Sequence, residues 1–170
     1  MGALPGRFGT AVALAGVLSA MAIVGVSAPA GQTGVGGSGV GKSFTLRSED
    51  EVVRITLLRV YDPARVRGSF GAARPGNKLV AVLLRLTNLD RVFYHDSPGN
   101  GATLISMYER TYPAVLPGVE PNLDGLAGMA LGRSQVGWLT FEVPIKTRPW
   151  KLRFVLDSGF ADQAGEWLLR

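Results

Sequence analysis

The chain has no cysteine and one histidine, His95. Without thiols it cannot form disulfides, thiolate metal sites, a cysteine nucleophile or a lipid-modified cysteine behind a leader. Zinc would be left with one imidazole and carboxylates, a poor ligand set for that ion. Charged residues make up 18% of the chain. No run of five or six like charges marks a nucleic-acid tail, so nucleic acid is not an expected partner. Two convincing crossover helices are also missing, which argues against a doubly covered parallel sheet. There is no G-x-S-x-G elbow for a serine nucleophile and no twin-arginine export signal.

What is present is unevenly placed. The 170 residues carry a net charge of +5 and 46% hydrophobic residues, enough for one core with extensions. The basic balance favours anionic surroundings such as phospholipid or an envelope polymer, although the basic residues are scattered. Residues 1–30 read as an export signal. Arg7 precedes an apolar stretch from Phe8 to Val26, and Ala28-Pro29-Ala30 fits the small-residue cleavage pattern, making Gly31 the expected mature N-terminus. If the segment is not cleaved, it becomes a membrane anchor instead. Residues 31–41 are glycine-rich and read as a flexible linker. A domain over 42–170 follows.

Gly36 to Ser43, "GGSGVGKS", matches the phosphate-loop pattern G-x-x-x-x-G-K-[ST] letter for letter. That chemistry needs a buried strand before the glycines and a helix after them, so that backbone N–H groups converge on phosphate. Here "GQTGV" precedes Gly36, and "SFTLRSEDEVVRITLLRV" follows with the alternation of a strand. "LRFVLD", ending at Asp157, imitates a magnesium-side strand but alternates as a half-buried one does. The segment is read as linker, and nucleotide binding through residues 36–43 stays as an alternative.

From Lys42 the chain is punctuated by Pro and Gly every eight to fifteen residues, with short alternating runs between. Strands are expected over 42–48, 51–62, the segment after Pro75-Gly76-Asn77, 92–95, 102–107, the start of 110–118, 134–144 and 150–157. Val53, Ile55 and Leu57 share one face, as do Val80, Val82, Leu84 and Leu86, and Leu139, Phe141 and Val143. The strand containing Val80 is apolar on much of its second face too, which places it inside a sheet. The expected fold is all-β, an antiparallel immunoglobulin-like β-sandwich of about seven strands.

The order "PGNKLVAVLLRLTNLDR", "MYERTYP", "GRSQVGWLTFEVP" and "WKLRFVLD" resembles the telokin-like, immunoglobulin-related domains of secreted and surface bacterial proteins. Pro75, Gly76, Asn88, Gly137, Phe141, Val143, Pro144, Leu152 and Phe154 fall at that family's turn and core places. The resemblance spans roughly residues 50–158 and carries no catalytic motif. It implies fold and envelope location, with function left open.

Candidate chemistry is thin. His95, Asp96 and Ser97 supply the letters of a triad, but neighbours in sequence do not meet as base and orienter from separate elements. A small hydrolase built on His95 is therefore a third alternative only. Asp96 with Asn100, or Glu120 with Asp124, would be partial calcium ligands, yet no D-x-[DN]-x-[DN]-G loop gathers them. No cofactor or metal is expected. Glu109, Glu120, Asp124 and Glu142 could meet in space as paired acids for sugar cleavage, but a sandwich of this size seldom forms a deep cleft and no aromatic cluster declares a sugar platform. Trp138 lies opposite Leu139 and Phe141, where it either packs in another layer or marks a contact surface. Tyr108, Tyr112, Trp150 and Trp167 are core or rim first. The tail "GFADQAGEWLLR" is a short strand or turn packing Trp167 and Leu168.

The chain thus reads as an exported, non-enzymatic domain that binds a protein or an anionic envelope component. Loops 88–101 and 118–133 are its natural contact surfaces, and His95, Asp96, Asn100 and Trp138 are its candidate binding residues.

Overall fold

The computed structural model describes residues 39–66, 71–125 and 128–169. The expected signal at 1–30 and most of the expected linker lie outside those residues. Eight strands form two antiparallel sheets. They are β1 (Ser43–Arg47), β2 (Val52–Ala64), β3 (Asn77–Asn88), β4 (Ala102–Ser106), β5 (Thr111–Pro113), β6 (Ser134–Pro144), β7 (Pro149–Val155) and β8 (Ala164–Leu168). One sheet has the order β1-β2-β3-β6 and the other β5-β4-β7-β8. The immunoglobulin-like sandwich expected from the alternation is the fold observed.

The inward faces are those the periodicity picked out. Val53, Ile55, Leu57, Val80, Val82, Leu84 and Leu86 meet Leu104, Leu152, Phe154 and Trp167 of the other sheet in one core, which Leu139, Phe141 and Val143 complete. Alternating side chains fill both inner faces, so each sheet buries its apolar side on the other. β3 lies between β2 and β6, as its two apolar faces require. Its outer residues Leu79, Ala81 and Leu83 join Tyr61, Val119 and Trp138 in a second cluster. The cover for that cluster is the chain between β5 and β6. It lines the edge of β6 through bridges Ala114–Phe141 and Asn122–Trp138, and the Val119 amide donates to Thr140 Oγ1 at 2.9 Å. This also occupies an edge that would otherwise present unpaired backbone groups.

One expected element differs. Residues 92–95 do not form a strand, and only Tyr94 bridges, to Met129. The start of the 110–118 run is the short strand Thr111–Pro113, as expected where Pro113 lacks the N–H a ladder needs. Of the two readings of the tail, the short strand is the one observed, as β8 on the edge of its sheet. A one-turn helix, α1 (Pro98–Gly101), precedes β4. Gly39 and Gly41, counted with the linker, are hydrogen-bonded to Leu168 and Leu57, so these two residues pack with the sandwich.

Turn and core positions shared with the telokin-like pattern have local reasons. Gly76 sits at φ +83° in the turn into β3, a conformation that favours glycine. A Cβ on Gly137 would come within 2.8 Å of the Leu123 backbone. Asn88 is buried; its Nδ2 donates to the carbonyls of Val92 (2.7 Å) and Met129 (2.9 Å). Its Oδ1 accepts the Asp90 amide at 2.8 Å. One side chain thereby fastens both long loops at this end.

Candidate functional site

The described part of the phosphate-loop match, residues 39–43, is a turn running into a strand. Gly39 to Gly41 bend the chain straight into β1, with no helix following. Three of the described amides that would face phosphate are already used. Gly39 N–H donates to the Leu168 carbonyl (2.8 Å), Gly41 N–H to Leu57 (2.7 Å), and Lys42 N–H to Gly39 (3.0 Å). A Cβ on Gly39 would collide with the Leu168 carbonyl, so close approach between turn and tail explains that glycine. A working loop needs those N–H groups free and aimed at one point, so residues 39–43 cannot serve as one.

His95, Asp96 and Asn100 lie on the 88–101 connection, at the end of the sandwich where β3 finishes and β4 begins. His95 and Asn100 are exposed. Asp96 is committed elsewhere. Its Oδ1 accepts from Ser158 Oγ (2.6 Å) and the Ser97 amide (2.7 Å), and its Oδ2 from the Ser158 amide (3.0 Å). It ties this connection to the β7–β8 turn and does not orient His95, which removes the orienter from the hydrolase reading.

Trp138 is corrected as a binding residue. It is 1% exposed and stacks on Tyr61, with ring centroids 4.9 Å apart and planes at 18°. Of its two alternatives, packing in another layer is the one observed. Trp167 is also buried, and Phe44 meets it edge-on.

Carboxylates hold this end together. Asp124 Oδ1 accepts the Gly99 amide at 2.6 Å, and Glu120 Oε2 accepts the Asn122 amide at 2.8 Å. The three carboxylates of the two proposed calcium pairs, Asp96, Glu120 and Asp124, are thus engaged in fixing loops. Among the described residues no three carboxylate or histidine side chains converge on a metal-sized point. Glu51 has its carboxyl pushed above the usual range, first by burial and then by the charges of Asp96 and Asp157; a hydrogen bond from the His95 backbone opposes the shift. Burial raises the Tyr94 phenol as well, and nearby Asp96 and Glu51 add to it. Tyr94 stays a neutral hydroxyl. Ser48, Glu49, Asp50, Asp157, Phe160 and Asp162 line an adjoining cleft of about 550 Å³.

The sequence did not single out the apolar side chains these loops expose. Val92, Phe93, Leu131 and Phe160 are all open to solvent, Phe160 to 88%. Their signal was weak, because a large apolar residue in a short loop has no periodicity to set it apart from core.

No protein-family model matches the chain, and no curated protein matches it. Among solved structures it is similar to MPT63, a secreted protein from Mycobacterium tuberculosis. That likeness has 14% identity and a TM-score of 0.56, covering 76% of this chain and 93% of that one. A functionally unknown protein from Listeria monocytogenes EGD-e is similar at 12% identity and TM-score 0.49, over 81% of this chain and 86% of that one. An uncharacterized β-sandwich protein from Clostridium difficile 630 is similar at 10% identity and TM-score 0.48, over 77% and 91%. At 14% identity the likeness to MPT63 is one of fold alone. Among the described residues no helix is long and apolar enough to cross a membrane.

Proposed function

We propose that the chain is an exported, non-enzymatic binding domain that engages a protein partner through the 88–101 end of the sandwich. The observation that carries this reading is the exposure of Val92, Phe93, Leu131 and Phe160 on connections that Asn88, Asp96 and Asp124 hold in place. Soluble monomers seldom leave large apolar side chains together on one end without a use for them. Aromatic residues are also frequent anchors in protein interfaces. Fixed loops reduce the entropy lost on association. The leader at 1–30 and the fold shared with a secreted protein support export, with Gly31 as the mature N-terminus. The telokin-like, immunoglobulin-related family is the finer assignment we favour, on the turn and core residues already described.

Substitution tests the reading directly. Phe93→Ser and Phe160→Ser, separately and together, should leave the melting temperature unchanged and abolish capture of a partner from envelope extract. Capture that survives the double substitution would refute this surface.

A further inference from the structure

The opposite end of the sandwich carries a different surface. The β4–β5 turn (residues 107–110) and the β6–β7 turn (residues 145–148) lie side by side, because the Met107 amide donates to the Arg148 carbonyl at 3.1 Å. The turn before β3 joins them, with the Ile145 amide donating to the Gly76 carbonyl at 3.0 Å. Three large apolar side chains stand out from these tips. Tyr108 is 79% exposed, Ile145 63%, and Met107 is comparably open. Arg110, Lys146 and Arg148 are exposed among them. The two turns enclose a groove of about 480 Å³ lined by Tyr108, Arg110, Tyr112 and Lys146. On the acidic side, Glu142 is taken up by Arg74 at 3.1 Å, leaving Glu109 as the acidic residue on these two turns.

We infer that this end docks on an anionic phospholipid surface. The turn tips place Met107, Tyr108 and Ile145 at the headgroup level, while Arg110, Lys146 and Arg148 face the lipid phosphates. Apolar side chains gain by leaving water for the acyl boundary, and tyrosine suits that boundary with an apolar ring and a polar tip. Cations beside them add attraction to an anionic leaflet, and neither contribution alone gives firm binding. A soluble polyanion would meet the three cations but offer the apolar tips nothing, and that selects lipid over polymer. Such docking is independent of whether residues 8–26 remain attached.

The absence of cysteine permits a clean test on the full chain. A polarity-sensitive dye is attached at Ile145→Cys, and at Val92→Cys on the other end, after melting curves show both variants folded. Vesicles of phosphatidylglycerol mixed with phosphatidylcholine should shift the Ile145 dye to the blue and leave the Val92 dye unchanged. Pure phosphatidylcholine and soluble polyphosphate should shift neither. In the Ile145→Cys background, Lys146→Gln should weaken the vesicle response about fivefold, and Tyr108→Ser should weaken it as well. The inference is overturned if the Ile145 dye does not respond to anionic vesicles, or if both positions respond alike. An equal response to polyphosphate would also overturn it, in favour of a soluble polyanion.

Discussion

The indole Nε1 of Trp167 donates to the backbone carbonyl of Lys42 at 2.9 Å. The lysine that completes a nucleotide-binding signature is therefore held, through its main chain, by the last strand of a β-sandwich. Trp167 is fully buried and the Lys42 carbonyl also accepts the Leu57 amide at 3.2 Å, so a smaller ring loses the indole bond and leaves a void in the core while the carbonyl keeps one partner. Trp167→Phe should cost about 1–3 kcal/mol in urea unfolding. Lys42→Ala should stay within about 0.5 kcal/mol of the parent, because the Lys42 main chain makes the contacts and an exposed side chain contributes little. Saturating ATP or GTP with magnesium should move neither melting curve. A nucleotide-dependent rise lost in Lys42→Ala would restore the phosphate-loop reading.

Asp124 reaches α1 from the loop before β6, where its carboxylate accepts the Gly99 amide. Asp124→Ala should speed hydrogen exchange at Gly99 well beyond exchange in the strands, with a stability loss of about 1–2 kcal/mol. Unchanged Gly99 exchange would mean that the carboxylate does not fix this end.

Two glutamates should respond to pH with opposite signs. Glu51 has its folded pKa raised above the ordinary value of 4.5. A carboxyl of this kind favours the fold fully below its unfolded pKa, and that contribution is lost as pH rises through the folded pKa. Glu51→Gln keeps an oxygen for the His95 amide and removes the repelled charge. It should raise the melting temperature at pH 7, with the difference vanishing near pH 4. Glu142 is the reverse case. Hydrogen bonds from Arg74 and then Asn77 hold it down to about 2. Its contribution is present above 4.5 and is lost as pH falls toward 2. Glu142→Gln should therefore flatten the acid limb of stability and leave the Glu51 effect in place. Melting curves from pH 2 to 8 on the two variants check both signs.

The strands that were legible are those where alternation runs long. Val53, Ile55 and Leu57, or Leu139, Phe141 and Val143, fix a face by period two alone. What was not legible depends on residues far apart in sequence. Asn88 looks like an ordinary turn residue until the 129 carbonyl arrives to meet it. The tail became β8 because Trp167 finds Lys42 and Leu168 finds Gly39, pairings that no local pattern announces. Trp138 was ambiguous for the same reason, since its cover is a crossing segment with no regular structure of its own. Asp96 was picked for its chemistry, and its actual role is to fasten a turn sixty residues away.

The candidate surface was legible in part, as loops 88–101 and 118–133 and not as residues, and the β7–β8 turn that carries Phe160 was not singled out. Phe93 and Phe160 fall in separate connections, and only the sheet order puts them on one end.

The 88–101 end is proposed to bind a protein outside the cytoplasm. The most direct measurement replaces Phe93 with a photo-reactive amino acid in the producing cells, with Thr45 on the outer sheet face as control. After irradiation and fractionation, a discrete protein adduct is expected at position 93, on a chain beginning at Gly31 in the extracytoplasmic fraction, and none at position 45. A full-length cytosolic chain, or no adduct at position 93 above the Thr45 control, would contradict it.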